Sequence, residues 1–460
     1  MSSIWKTKSP AQIAEAAEHT QLKKNLTAFD LAALGIGSVV GTGIFVATGE
    51  GAHLAGPGVL LSFIIAAITC GLCALTYSEL ACMFPVAGST YSYSYVAFGE
   101  VIAWIIGWDL MLEYLVSASA VASGWSGIFI GLLESAGLKL PKALLTTPLA
   151  GGIIDLPAVI ITLLITWILF IGIRESARIN NIIVLVKVAV ILLFIFLGVR
   201  HINLANLKPM MPYGWGGVMR GAAIIFFAYI GFDAVSTAAE ETKNPKKDVP
   251  LGLMICLGVV IVLYVAVAFV LTGIVPFKEI VVDNALPGAL ASIGIRWGGA
   301  LVATGAIIGM VSTLLVTLYG QIRIFMVMAR DGLLPAAFSK IHPKHRTPHI
   351  CTWITGVATA LIAGLFPLPM IINLCNIGTL FAFILVSVGV IVLRKTRPEV
   401  ERKFRTPGVP FTPLITIGFC FYLMSHLPGV TWVRFGAWLL AGLAIYFMYG
   451  FRHSKLQKSA

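Results

Sequence analysis

Long apolar stretches separated by short polar ones run through nearly the whole chain. A membrane-crossing helix needs about 20 mainly apolar residues. Twelve stretches qualify, near 29–53, 58–84, 100–133, 156–173, 179–199, 216–239, 249–273, 297–328, 349–366, 370–394, 410–426 and 433–451. The first is interrupted at Gly37-Ser38-Val39-Val40-Gly41-Thr42-Gly43, where three glycines and two hydroxyls crowd together. Glycine inside a helix costs about 1 kcal/mol relative to alanine. Non-helical backbone at membrane depth survives only where it lines a cavity or is buried in protein. An unwound turn there exposes N–H groups that attract anions, the device by which broken helices of transporters hold a carboxylate. Close packing of small residues between helices is the competing explanation. The sixth stretch decides between them, because it is interrupted at the matching place, Phe226-Phe227-Ala228-Tyr229-Ile230-Gly231-Phe232-Asp233. Paired interruptions in corresponding helices point to a central binding site.

Composition narrows the class. The chain is 58% hydrophobic and 11% charged, with mean hydropathy +0.94, whereas soluble proteins carry about 25% charged residues. No apolar signal segment stands in the first 25 residues. The net charge of +12 reports topology rather than nucleic-acid binding. With the N-terminus inside, 23 Lys and Arg fall on the cytoplasmic side and 8 outside, which sets both termini in the cytoplasm. Ile4, Trp5, Ile13 and Ala14 among lysines predict a short interfacial helix.

Ordered motifs then give a resemblance. Gly41-Thr42-Gly43-Ile44-Phe45, the loop Phe84-Pro85-Val86-Ala87-Gly88-Ser89-Thr90-Tyr91, and Gly107-Trp108-Asp109-Leu110-Met111-Leu112-Glu113-Tyr114 come first. Gly231-Phe232-Asp233-Ala234-Val235, Glu240-Glu241-Thr242-Lys243-Asn244-Pro245 and Met328-Ala329-Arg330-Asp331-Gly332-Leu333-Leu334-Pro335 follow in order. The chain resembles the amino acid–polyamine–organocation superfamily, and within it a bacterial relative of the cationic amino acid transporters. That resemblance implies an all-α polytopic membrane protein of about twelve spans. It implies an inverted five-plus-five repeat over 29–199 and 216–394, broken helices 1 and 6, an added helix pair at 410–451, and polar ends at 1–28 and 452–460. Carried over by motif, the amides of Thr42, Gly43 and Ile44 meet a substrate carboxylate. The carbonyls of Val39, Phe227, Ala228 and Ile230 meet its ammonium. This recognises any L-amino acid zwitterion and says nothing of its side chain.

Ionisable groups inside spans are functional by default, since each costs about 2.5–3.5 kcal/mol or more. Lys187 stands alone in an apolar run, roughly 10 Å into its span at 1.5 Å per residue. It either snorkels to the surface, pairs permanently with Glu113 or Asp233, or titrates. In sodium-coupled relatives the fifth span helps to hold sodium, so an ammonium there implies proton coupling, with Glu113 and Asp233 tuning it. Asp109 reads as nearer the external end of its span or as a solvated loop group, and Glu79 as interfacial. Side-chain selectivity is assigned to Ser117, Ser119, Thr317, Tyr319, Asn373 and Asn376, with Phe227 as a gate.

Other classes fail on residues. A channel needs a continuous polar or charged pore lining, and two broken helices do not supply one. The eight histidines lie mostly in termini and loops, and Pro343 and Pro348 interrupt the spacing of His342, His345 and His349. Cys70 and Cys73 sit in an apolar helix as small buried thiols. No enzyme, metal or cofactor is expected. The expected partners are an L-amino acid (cationic or small neutral), protons and the lipid bilayer of a bacterial inner membrane, with no nucleic acid.

Overall fold

Thr27 opens the first helix. Its hydroxyl accepts from the Asp30 amide at 3.4 Å while the Asp30 carboxylate accepts from the Thr27 amide at 2.9 Å. This reciprocal cap sets the start of α1 (Ala28–Val39). The computed structural model describes residues 4–9, 26–84, 89–138, 140–172, 177–238 and 242–458. Past Val39 the helical ladder lapses, then resumes as a wide π-turn over Gly43–Ala47 that runs into α2 (Thr48–Ala55). Gly56, at φ +64°, turns the chain back.

The helices that follow are α3 (Val59–Met83), α4 (Ser89–Ala97), α5 (Glu100–Ser135), α6 (Leu156–Ile171), α7 (Ala177–Gly198) and α8 (Gly214–Ile225). A 3-10 turn, Phe226–Tyr229, leads from α8 to α9 (Ala234–Thr237), α10 (Pro245–Ile274), α11 (Ala285–Ser292) and α12 (Arg296–Arg330). The last four are α13 (His349–Leu365), α14 (Leu368–Thr396), α15 (Phe411–Ser425) and α16 (Gly429–Ile445). Among the described residues, seven helical stretches are long and apolar enough to cross a membrane, while α1, α6, α13 and α15 are shorter apolar helices. Strand pairing is confined there to two isolated bridges. The chain is a nearly all-helical, polytopic membrane protein.

Helix α5 is the pillar, packed against α12 and α14, with α3 and α1 against α10 and α7 against α12. Leu185 and Phe196 on α7, Val262 on α10, and Val433 and Leu440 on α16 face outward. An apolar exterior of this kind suits lipid tails.

The predicted interfacial helix does not begin at Ile4 and Trp5. These residues lie in a non-helical segment that docks on the start of α5. The Ile4 carbonyl accepts from the Val101 amide and the Lys6 carbonyl from the Glu100 amide, both at 3.1 Å. Free helix-start amides need acceptors, and here distant backbone supplies them. Lys8 pairs with Asp331 at 2.8 Å, and the Ser454 hydroxyl donates to Glu100. Residues 4–6 and 454–457 therefore pack at the Glu100 end of α5. Ile13, Ala14, loop residues 85–88, Arg174 and residues 240–241 lie outside the described residues.

Candidate functional site

The two interruptions cross at the centre of the helical assembly. A Cβ on Gly43 would stand 2.3 Å from the Ala228 Cα, so the backbones touch and only glycine fits. Gly231, at φ +106°, lies over the Ser38 carbonyl. Val39, Thr42, Gly43, Ile44, Phe227 and Ala228 are all buried there, and Ile230 is half-buried. The breaks thus bring together the residues that the sequence assigned to the amino and carboxyl groups of a substrate.

Several of those groups already have partners. The Ile44 amide donates to the Gly41 carbonyl at 3.2 Å, and the Ile230 amide to the Phe227 carbonyl at 3.2 Å. The Val39 carbonyl accepts from the Tyr264 hydroxyl of α10 at 3.0 Å. Thr42 packs against Gly124 of α5, and its hydroxyl points at the Met310 sulfur, 3.8 Å away. Thr317 on α12 returns its hydroxyl to the Thr313 carbonyl at 2.8 Å. Asn376 donates to the Ala223 and Ile224 carbonyls at 2.6 and 3.2 Å, which ties α14 to α8 just before its break.

Lys187 does not snorkel. Its side chain is 1% exposed, and Nζ donates to the Gly37 carbonyl at 2.6 Å and to the Thr313 hydroxyl at 2.7 Å. Gly309 leaves room for the lysine stem, since a Cβ there would meet Lys187 Cγ at 2.7 Å. One ammonium thus joins α7, the last turn of α1 and α12, two residues ahead of Val39. Glu113 and Asp233 form a second group: both are buried, and each lies within electrostatic reach of the other.

Two carboxyl groups are shut away from solvent. Asp109 is not a solvated loop group. It is fully buried in α5, one turn nearer Glu100 than Glu113 is, because Gly378 of α14 makes space beside it. Glu79 is buried as well. It lies at the end of α3 and accepts from Arg394 Nε and Nη2 at 2.9 and 2.8 Å and from the Thr406 amide at 2.7 Å. Sequence reasoning also missed Tyr264 and Thr313. The available signals were a tyrosine hydroxyl in the apolar α10 and the Thr313/Thr317 pair at helical spacing.

Among the described residues no cluster of three His, Cys, Asp or Glu is placed to hold a metal. All seven cysteines are buried and free.

A polytopic helical membrane protein with two interrupted helices crossing at a buried centre has the form of a carrier. The amino acid permease family model matches residues 26–448, and the chain belongs to that family; it is a permease, not an enzyme. It is 49% identical to the branched-chain amino acid permease of Bacillus subtilis (strain 168), over 99% of each chain. It is 47% identical to the methylthioribose transporter of the same organism, over 100% of each. Against the vacuolar cationic amino acid transporter 4 of Arabidopsis thaliana it is 37% identical, over 82% of this chain and 64% of that one. The expected superfamily is thereby borne out, and with it transport of amino acids.

Proposed function

We propose that this permease is a proton-coupled symporter of L-amino acids that works by alternating access in a bacterial cell membrane. In this reading twelve spans form an inverted five-plus-five repeat plus two helices, with both termini cytoplasmic. The substrate carboxylate meets the amides of Thr42, Gly43 and Ile44, and its ammonium meets the carbonyls of Val39, Phe227, Ala228 and Ile230. Thr317 faces the side chain. Val39, Ile44, Phe227, Ala228 and Ile230 put apolar side chains around the breaks, which fits a branched-chain substrate, as does the name of the relative at 49% identity.

The observation that carries the coupling is the Lys187 ammonium on the Gly37 carbonyl and the Thr313 hydroxyl. Hydrogen bonds from a charged donor contribute about 1.5–3 kcal/mol, roughly twice the neutral value. Loss of the proton weakens the tie between α7, α1 and α12, and each 1.4 kcal/mol shifts a two-state balance about tenfold. Glu113 and Asp233 set the field in which that proton moves. A second reading has one observation behind it. The same carboxyl pair beside the α8 break suits a cationic side chain, so the chain would exchange cationic amino acids without protons.

Lys187→Ala separates the two. In proteoliposomes it should abolish accumulation of labelled L-leucine driven by a proton gradient while leaving leucine binding largely intact, and wild-type uptake should ignore sodium. Wild-type accumulation by the alanine variant, or a sodium requirement, rejects coupling through Lys187. A competition screen of all natural amino acids on the purified protein assigns the substrate. Displacement by arginine but not leucine supports the exchange reading.

A further inference from the structure

Asp109 is the buried ionisable group that the reading above leaves without a task. It lies about 13 Å along α5 from Glu100 at 1.5 Å per residue. Among the described residues neither of its carboxyl oxygens has a hydrogen-bond partner. A Cβ on Gly378 of α14 would stand 2.8 Å from Oδ1 and 3.9 Å from the Phe435 ring of α16, so the carboxyl group fills a niche between three helices. The titratable groups facing it are Glu113 on its own helix and Cys375 on α14, while α16 contributes the Phe435 ring. Beyond Glu113 stands Asp233, at the α8 break.

An ionised carboxylate in an apolar interior without a donor loses its hydration with no return, at a cost of several kcal/mol. A structural carboxylate would be placed as Glu79 is, among donors. Among the described residues no donor reaches either oxygen of Asp109, which suits a group whose natural occupant is a proton. Its position extends a file that starts at Asp233, passes Glu113 and continues toward Glu100. At that end Glu100 accepts from the Tyr95 and Tyr446 hydroxyls, both at 2.9 Å.

We propose that Asp109 is a proton-relay carboxyl, which passes the coupled proton from Glu113 toward the end of α5 where residues 4–6 and 454–457 pack. The step balances without a co-reactant. A proton leaves Glu113 and binds one Asp109 oxygen as the proton already on Asp109 passes from the other, through water, to the Glu100 carboxylate, which in turn releases a proton to bulk water at that end of α5. Glu113 is refilled from the Asp233 side. Residues one helical turn apart have Cβ atoms about 5–6 Å from each other, a gap that one water spans. This inference rests on the proton-coupling reading above and adds an exit route to it.

The test uses the full-length protein in proteoliposomes with a pH-sensitive dye in the lumen and labelled L-leucine outside, or L-arginine if the competition screen selects it. Asp109→Asn should slow gradient-driven accumulation and lumen acidification by about tenfold or more, the scale on which a positioned acid–base group acts. Counterflow of labelled against unlabelled substrate needs no net proton movement and should stay within about twofold of wild type, since ground-state binding is untouched. The infrared difference spectrum on a pH jump should lose the carbonyl band of an un-ionised carboxylic acid. Asp109→Ala, measured the same way, decides if the asparagine variant does not insert. Accumulation and acidification at wild-type rates in the variant overturn the relay while leaving coupling intact. An equal loss of counterflow and accumulation makes Asp109 structural and also overturns it. If wild type moves no protons with substrate, the coupling reading falls and the relay with it.

Discussion

Glu79 and Lys187 are both shut away from solvent, yet their charges are met in different ways. Glu79 takes two hydrogen bonds from the Arg394 guanidinium, one from the Thr406 amide, and has Arg402 Nε at 3.5 Å. These partners come from α14 and the segment after it, so α3 is held to α14 by opposite formal charges. Lys187 donates to a backbone carbonyl and a hydroxyl, both neutral. A carboxylate between guanidiniums is a staple whose strength does not depend on a proton in transit. The hold of the ammonium on these two oxygens varies with its own charge. The first arrangement suits a fixed joint and the second a movable one.

The largest effect that can break this contrast is expected at the staple. Removing one partner of a buried pair strands the other charge and costs about 3–5 kcal/mol. The Arg402 side chain is itself 6% exposed, so Glu79→Ala should lower the thermal unfolding temperature in detergent more than any change at Lys187. Glu79→Gln keeps an acceptor and should lose less. An unchanged melting temperature for Glu79→Ala would show the cluster to be ornament on an already stable joint.

Thr313→Val probes the movable joint. It removes one of the two described acceptors of Nζ and keeps the shape of the side chain. The expected cost is about 1.5–3 kcal/mol, the value of a hydrogen bond to a charged group, and leucine accumulation should weaken with it. If Thr313→Val matches wild type in both melting and accumulation, the Thr313 hydroxyl contributes nothing to the hold on the lysine.

Sequence made the movable joint legible and the fixed one illegible, for a physical reason. Gly37 through Gly43 and the lone Lys187 violate the rules of a membrane helix within a few residues, so each announces itself locally. The crossing of Gly43 with Ala228 was within reach because both breaks occupy matching places. Glu79 and Asp109 each look like an ordinary acid near a helix end or a turn. What separates them is a neighbour far away in the chain, Arg394 for one and Gly378 for the other. The Ile4 and Lys6 carbonyls that cap α5 are beyond any local pattern, because backbone acceptors carry no sequence signature. Tyr264 is intermediate: its hydroxyl had to find an acceptor in an apolar helix, but nothing local named Val39.

Asp155 sharpens the contrast from the anionic side. It caps the start of α6, where Oδ1 accepts from the Ser126 hydroxyl at 2.5 Å and from the Ala158 amide at 3.2 Å. It too is buried, and both of these partners are neutral. Burial pushes its carboxyl up to about 6, the two hydrogen bonds pull the other way, and Asp283 nearby adds to the rise. The unfolded group titrates near 3.9. Between about pH 4 and pH 6 the unfolded chain therefore sheds its proton first, so stability falls as pH rises through that window and stays lower above it. At 1.36 kcal/mol per unit the ceiling is about 2–3 kcal/mol. Asp155→Asn keeps the acceptor for Ala158 and removes the titration. Melting curves across that range should show a flatter pH dependence for the variant than for wild type. Equal slopes would mean that the folded protein ionises Asp155 as readily as the unfolded chain does, and that neutral donors at this cap meet the charge as completely as guanidiniums meet Glu79.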